Sequence, residues 1–583
     1  MRVRYISRHR LEKVDPSAAV SDPVKPIIYY LDNGTPEPVR SALLEGARWW
    51  NQAFEAAGYR DAFQVEVLPE GADPLDVRYN IINWVHRSTR GWSYGSSITD
   101  PRTGEILKGH VLLGSLRVRQ DYLIAQGLLN QFEPNSTPVD ADNDPSLKVA
   151  LARIRQLSAH EVGHTLGLQH NFAASINDRA SVMDYPAPLA TLDPDNRILL
   201  HNAYATGIGE WDKITIKYGY SDFPDSTDEQ AALSGFIDQY VEDGWFYITD
   251  GDARPEGGAN SLAHLWDNGS DVVDALKLDM QVREVALGRF GIGSLRPDAP
   301  MATLEEVLVP LYLRHRYQID AVAKLVGGVS YSYNIRGDSQ LLPEAVSGGQ
   351  QRSAMNGLLS TIEPKALALP PQVRTLIPPR PPGYGSHREL FSGHTGLIFD
   401  PYAPAAVVAQ QVFGLLLNPA RTARLTYQQD FNPALPELLD ILVMVTQKVW
   451  LEDVPRDPYE AELQRLTQQV WVDQLLSAAA SSAQAPAAQA RIIYHLRDIH
   501  AWLADNADQV DDQTRAHRFA ALDEIDRYIF RPYQVQEQPT PVTTPPGSPI
   551  GSDGPAWLTR TIERQAWLDA WTEATLLCAF DTW

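Results

Sequence analysis

The chain has 583 residues, 44% of them hydrophobic and 21% charged, an ordinary globular composition with length for roughly two to four domains. Its formal net charge of −23 argues against nucleic acid or an anionic membrane as the main partner. One cysteine, Cys578, excludes an intramolecular disulfide and any cysteine-based zinc site, and no apolar run reaches the roughly 18 residues that a membrane span needs.

Residues 1–22 are polar and basic and read as an entry arm without the apolar core of a signal peptide. The β-branched and aromatic run 26–31 predicts a strand. A helix is expected to follow to Ala56, with Leu43, Leu44, Ala47, Trp50 and Phe54 at helical spacing and Gly58 as its stop. Strands are predicted at 63–68, 77–85 and 105–113, the last after a turn at 99–104. Residues 115–132 read as a helix, 135–144 as a polar loop, and 145–166 as a long helix with Val149, Leu151, Ile154, Leu157 and Val162 on its apolar positions.

That long helix carries His160-Glu161-x-x-His164-x-x-Gly167-x-x-His170. Two histidines four residues apart lie about one turn apart on one helix face, so both imidazoles can grip one ion. Glu161 follows the first ligand and is placed to act as a general base on a metal-activated water. Gly167 can adopt a left-handed conformation, end the helix, and turn the chain back to deliver His170 as a third ligand. Three protein nitrogens with one open position describe a catalytic site for one Zn2+ ion. A bare H-E-x-x-H arises by chance fairly often; the extended form fixes five positions in eleven residues and is far rarer.

Downstream comes Ser181-Val182-Met183-Asp184-Tyr185-Pro186. A short helix near 214–218 is expected to close this unit, and the acidic, turn-rich stretch 222–232 reads as a boundary. From 233 helices dominate, with helices at 270–290, 302–325 and 354–362, a Gly/Asp-rich segment at 249–260 and a proline-rich connector at 370–382. Long amphipathic helices are predicted at 434–450, 457–478, 485–504 and 512–529. His86 and His110 lie near the catalytic segment in sequence, but no ligand spacing demands a second metal site. The resulting division is an arm (1–22), a zinc-peptidase domain (23–225), a mainly helical domain (226–400), a second helical domain (401–535), a linker (536–555) and a C-terminal helix (556–583).

The extended histidine motif, with Met183 thirteen residues after His170, resembles the metzincin peptidases. The stretches 7–13 (SRHRLEK), 15–21 (DPSAAVS), 23–26 (PVKP), 49–58 (WWNQAFEAAG), 100–107 (DPRTGEIL) and 170–172 (HNF) look like a bacterial family of metzincin-like zinc metalloproteases, mostly catalogued as domains of unknown function. The likeness is strong over about 7–225, weaker around 317–338 and vague beyond 400.

The resemblance implies an α+β catalytic domain, a twisted mixed sheet with a long active-site helix, followed by a mostly α-helical C-terminal region. Met183 would be the Met-turn floor under the imidazoles, and Tyr185 would ligate the resting metal or stabilise the oxyanion. The last strand before the zinc helix is an antiparallel edge in such domains, which makes 104–114, and Glu105, Ile106, Leu107, Lys108 and Gly109 in particular, the expected substrate-binding edge. Family members usually carry a signal peptide and a long region before the arm, so the resemblance implies export to the periplasm or exterior.

The expected activity is zinc-dependent hydrolysis of a protein or peptide substrate. Two other readings use the same site: a zinc amidase acting on a non-protein amide such as peptidoglycan, and a non-catalytic zinc-binding scaffold. The intact Glu161 argues against the scaffold, since a structural site has no use for that base. Oligomeric state and cleavage preference are not encoded in these motifs.

Overall fold

The computed structural model describes residues 4–87, 93–133, 139, 143–508 and 510–530. The expected linker at 536–555, the helix at 556–583, Cys578 and most of the loop 135–144 lie outside the described residues.

Five strands form the first layer: β1 (Ile27–Leu31), β2 (Phe63–Val67), β3 (Asn80–Val85), β4 (Tyr94–Thr99) and β5 (Ile106–Gly114), in the order β2-β1-β3-β5-β4. All pairings are parallel except that of β4 with β5. Tyr29 and Leu31 alternate inward on β1, and Ile82, Trp84, Val111 and Leu113 continue the buried face.

Onto that face pack α1 (Val39–Arg48), α2 (Trp50–Ala56) and the long α4 (Pro145–Thr165), with α3 (Leu116–Leu129) alongside α4. The expected single helix to Ala56 is two helices abutting at Trp49. Asp144 caps α4 by accepting from Ser146 N (2.9 Å) and Leu147 N (3.2 Å), with Pro145 at the first helical position. Gly46 marks where α1 crosses α4: a Cβ there would lie 2.0 Å from Arg155 O, so only a glycine permits the contact.

The arm is part of this unit. Arg8 bridges to Glu105 in parallel fashion, and His9 reaches beneath the last turn of α4, its Nε2 lying 3.0 Å from Tyr29 Oη and 3.1 Å from Thr165 O. A Cβ on Gly167 would sit 1.9 Å from Ser7 O. With φ at +96°, Gly167 both ends α4 in the left-handed region and lets the arm close against the turn.

The later helices are α5 (Glu210–Tyr220), α6 (Glu229–Glu242), α7 (Asp250–Ala253), α8 (Val272–Arg289), α9 (Leu304–Tyr312), α10 (Arg316–Ala323), α11 (Gly348–Thr361), α12 (Pro364–Leu367), α13 (Ala403–Leu416), α14 (Pro419–Phe431), α15 (Leu438–Trp450), α16 (Pro458–Ala480), α17 (Pro486–Asn506) and α18 (Asp512–Phe530). The helix expected over 302–325 is interrupted at 313–315 and divides into α9, which runs on past Pro310, and α10.

One buried apolar cluster runs from Ala125, Leu128 and Val149 through α8–α11 to α13 and on to Ile525, crossing the expected boundaries at 226 and 401. Val373 and Ile377 are buried in it, so the proline-rich stretch is packed rather than free-standing. Among the described residues no single helix is long and apolar enough to cross a membrane.

Candidate metal centre

The last two turns of α4 and the turn after it bring three imidazoles together. His160 Nε2 and His170 Nε2 lie 3.2 and 3.1 Å from His164 Nε2. Each ring's other nitrogen faces an oxygen: His160 Nδ1 with Val182 O at 2.7 Å, His164 Nδ1 with Leu168 O at 2.9 Å, and His170 Nδ1 with Asp250 Oδ2 at 2.8 Å. These oxygens can only accept, so each neutral ring carries its proton on Nδ1 and turns the Nε2 lone pair inward.

Tetrahedral coordination with Zn–N bonds of about 2.0–2.1 Å sets nitrogens roughly 3.3 Å apart, close to the separations seen. The triad therefore fits one tetrahedral metal ion, and it is the one such group of histidine, cysteine and carboxylate side chains found among the described residues. Burial first, and the neighbouring rings and charges after it, hold His160 well below and His164 down to about 3, so the rings stay neutral and ligand-competent at ordinary pH.

Glu161 lies on α4 between the first two histidines and is 3% exposed. Met183 is buried against the same helix: a Cβ on Gly163 would lie 2.3 Å from its Sδ and 2.6 Å from Trp50 Cζ2. Trp50 is itself tied to α4 by Nε1 donating to Ala159 O at 2.7 Å. The turn carrying Met183 hangs on Asp212 of α5, whose carboxylate accepts from Ser181 Oγ (2.6 Å), Val182 N (2.8 Å) and Gly209 N (2.9 Å). Val182 O is also the acceptor of His160, so Asp212 reaches the first histidine through one residue.

Tyr185 stands beside the triad, with ring centroids 5.2 Å from His160 and 4.9 Å from His170, and Trp266 stacks on its far side at 4.8 Å. Its hydroxyl accepts from Arg254 Nη2 at 2.9 Å. Arg254 Nε also donates to Asp250 Oδ1, so one carboxylate joins His170 to the guanidinium that holds Tyr185. Burial alone would raise Asp250, but His170 and Arg254 outweigh it and hold its carboxyl far below the usual range.

Sequence reasoning missed Asp250, Arg254 and Asp212. The only local sign of the first two was an acid–base pair four residues apart in the Gly/Asp-rich segment 249–260, the spacing of one helical turn.

The expected substrate edge is corrected. Glu105, Ile106, Leu107, Lys108 and Gly109 belong to or adjoin β5, an interior strand paired with β3 on one side and β4 on the other. Its ladder positions are taken, with Arg8 occupying the stretch at Glu105, and Lys108 is buried, its Nζ donating to Pro74 O and Asp76 O. The antiparallel edge is β4, which lies directly on the helix of the triad: a Cβ on Gly95 would be 2.0 Å from Glu161 O and 2.9 Å from His164 Cβ.

A family model described as Met-zincin, for a family catalogued as a domain of unknown function, matches residues 142–456, more than half of the chain. The chain belongs to this Met-zincin family. No curated protein and no solved structure gives a significant match. Membership in the Met-zincin family together with the histidine triad supports a zinc metallopeptidase in general.

Proposed function

We propose that this Met-zincin chain is a zinc-dependent endopeptidase that cleaves a protein or peptide bound along β4. The observation that carries the reading is the convergence of His160, His164 and His170 through their Nε2 atoms, with Glu161 on the same helix between the first two. One zinc ion held by these three rings would supply Lewis acidity, lowering the pKa of a coordinated water toward about 7 and polarising the scissile carbonyl.

Glu161 takes the proton from the attacking water and returns it to the leaving amine. Tyr185 donates its O–H to the oxyanion that develops on the carbonyl. Its oxygen already accepts from Arg254, which fixes the phenol and strengthens it as a donor. Met183, in the role of Met-turn, gives the rings an apolar floor that holds them in place.

The peptide itself is oriented by main-chain hydrogen bonds. β4 is the last strand of the sheet, so its outer edge offers N–H and C=O groups to an extended chain. Gly95 seats that edge on the helix at Glu161, which brings a bound backbone alongside the base.

The test is cleavage of casein or a quenched peptide by the wild type and by Glu161→Gln. Loss of at least about a hundredfold is expected, the usual scale for a general base; full retained activity would overturn the assignment. Metal analysis is expected to give one zinc per chain, lost in His164→Ala.

A further inference from the structure

Beside the turn that carries Met183 lies a cleft of about 470 Å³, open to solvent, lined among others by Gln156, Ser175, Asp184, Asp267 and Asn268. Five of the buried oxygens these residues bring have no hydrogen-bond partner outside the cluster: Gln156 Oε1, Ser175 Oγ, both carboxylate oxygens of Asp267, and Asn268 Oδ1, with the Ser175 hydroxyl lying against the Asp267 carboxylate. The fifth residue, Asp184, is 6% exposed; one of its oxygens accepts Tyr185 N at 2.6 Å.

The two amides cannot turn their NH2 groups inward to relieve this. Gln156 Nε2 already donates to Val182 O at 3.1 Å and Asn268 Nδ2 to Ala187 O at 3.2 Å. Their oxygens are therefore the free ends. The nearby cations are turned elsewhere: Arg179, on the rim, donates to Asn202 Oδ1 and Ala203 O, and Lys324 donates to Ala253 O and Ala263 O. Among the described residues neither Asp184 nor Asp267 enters an ion pair.

Two buried carboxylates that share one hydroxyl and one backbone donor cost several kcal/mol unless something positive or a proton reaches them, and a pocket with such an excess of acceptors asks for a cation. We propose that Asp184, Asp267, Ser175, Gln156 and Asn268 form a second metal site, distinct from the histidine triad, that takes a hard divalent cation, calcium in preference to zinc or magnesium.

The donor set decides the preference. Every group is a carboxylate, amide or hydroxyl oxygen, with no nitrogen or sulfur for zinc. Two carboxylates match the charge of one divalent ion. Oxygens of mixed type on a loop, a 3₁₀ turn and a helix suit the larger and less regular shell of calcium better than the strict octahedron of magnesium.

The placement gives the site a purpose. Asp184 sits between Met183 and Tyr185, Asp267 directly follows the Trp266 that stacks on Tyr185, and Gln156 shares the Val182 carbonyl with His160. A cation here would pin together the floor of the triad and the segment that covers Tyr185.

The experiment uses the full chain passed over a chelating resin and titrated with calcium, followed by equilibrium dialysis and by terbium luminescence excited through tryptophan, for which Trp266 is adjacent. The expected result is one calcium per chain and a thermal midpoint that rises with calcium concentration. Binding is expected to be lost in Asp267→Asn and kept in His164→Ala, which separates this site from the zinc reading. Should Asp267→Asn fail to fold, Ser175→Ala is expected to weaken calcium binding by about tenfold or more, since affinity follows the ligand set. The proposal is overturned by no saturable binding at millimolar calcium, or by binding undiminished in Asp267→Asn and Ser175→Ala; the two carboxylates would then share a proton instead.

Discussion

His170 and Asp250 meet across 80 residues of chain, Nδ1 to Oδ2 at 2.8 Å, and that one contact orients the third imidazole so that its Nε2 faces the other two. The first two rings are held by backbone carbonyls that α4 and its neighbouring turns supply in any case. His170 follows the helix end and depends on a side chain from α7.

Asp250→Ala is therefore expected to lower zinc affinity by about 10–100-fold, the usual effect of removing a histidine's outer partner. Competition with a chromogenic chelator measures it. Asp250→Asn retains a carbonyl oxygen for the same Nδ1–H and should lose less. Equal affinity in wild type and Asp250→Ala would show that the ring is oriented without its carboxylate.

Gly95 sets how closely the edge strand can lie on the helix of the triad. An added Cβ would fall 2.0 Å from Glu161 O, a backbone atom that cannot swing aside. Gly95→Ala should destabilise the protein by about 1–3 kcal/mol in urea unfolding, as overpacking does. It should also raise KM for peptides more than the same substitution at Gly71, where a Cβ meets nothing within 4 Å.

His9 gives the fold a dependence on acid. Burial lowers this ring to about 4 against an ordinary 6.5, so the folded chain refuses a proton that the unfolded chain accepts. At pH 7 both states are neutral and the group costs nothing. As the pH falls from 6.5 to 4 the unfolded state gains, and stability drops by up to roughly 3 kcal/mol from this residue alone. His9→Gln should unfold at a denaturant midpoint that changes less between pH 7 and pH 4.5; an unchanged slope would dismiss the effect.

Met183 is 1% exposed and wedged against Gly163 and Trp50. Met183→Ala should cost about 2–5 kcal/mol in urea unfolding through the cavity it leaves. Met183→Leu, nearly equal in volume, should cost under about 1.5 kcal/mol.

The local parts of this site were legible in the sequence because they are periodic. His160, Glu161, His164 and Gly167 are fixed by helical spacing and one helix stop, and α3, α4 and α15–α18 follow from their apolar positions. β4 was not legible. Its residues, YGSSIT, are mostly small or polar, and its two large side chains, Tyr94 and Ile98, are exposed, since an edge strand buries little and Gly95 is there for closeness rather than packing. The expectation of an antiparallel edge then fell on β5, the nearest strong strand. Asp250, Arg254 and Asp212 escaped for another reason. They act through contacts at 80, 69 and 30 residues' separation, and no local pattern records a partner so far away.

The meeting of α14 with the segment behind Asp250 bears on how this protein can be dissected. Arg421 donates to Glu256 O, and Arg424 donates to Gly257 O, Gly258 O and Gly327 O, clamping the chain just past Arg254. A fragment spanning 23–225 would carry all three histidines and Glu161, yet lack the carboxylate of the third ring and the guanidinium on Tyr185. A fragment spanning 142–456 would carry those and lack the whole sheet, with Trp50, Gly95 and the arm. Neither piece holds every contact of the centre, which is a joint between the two halves of the chain and should be cloned, crystallised and assayed as one.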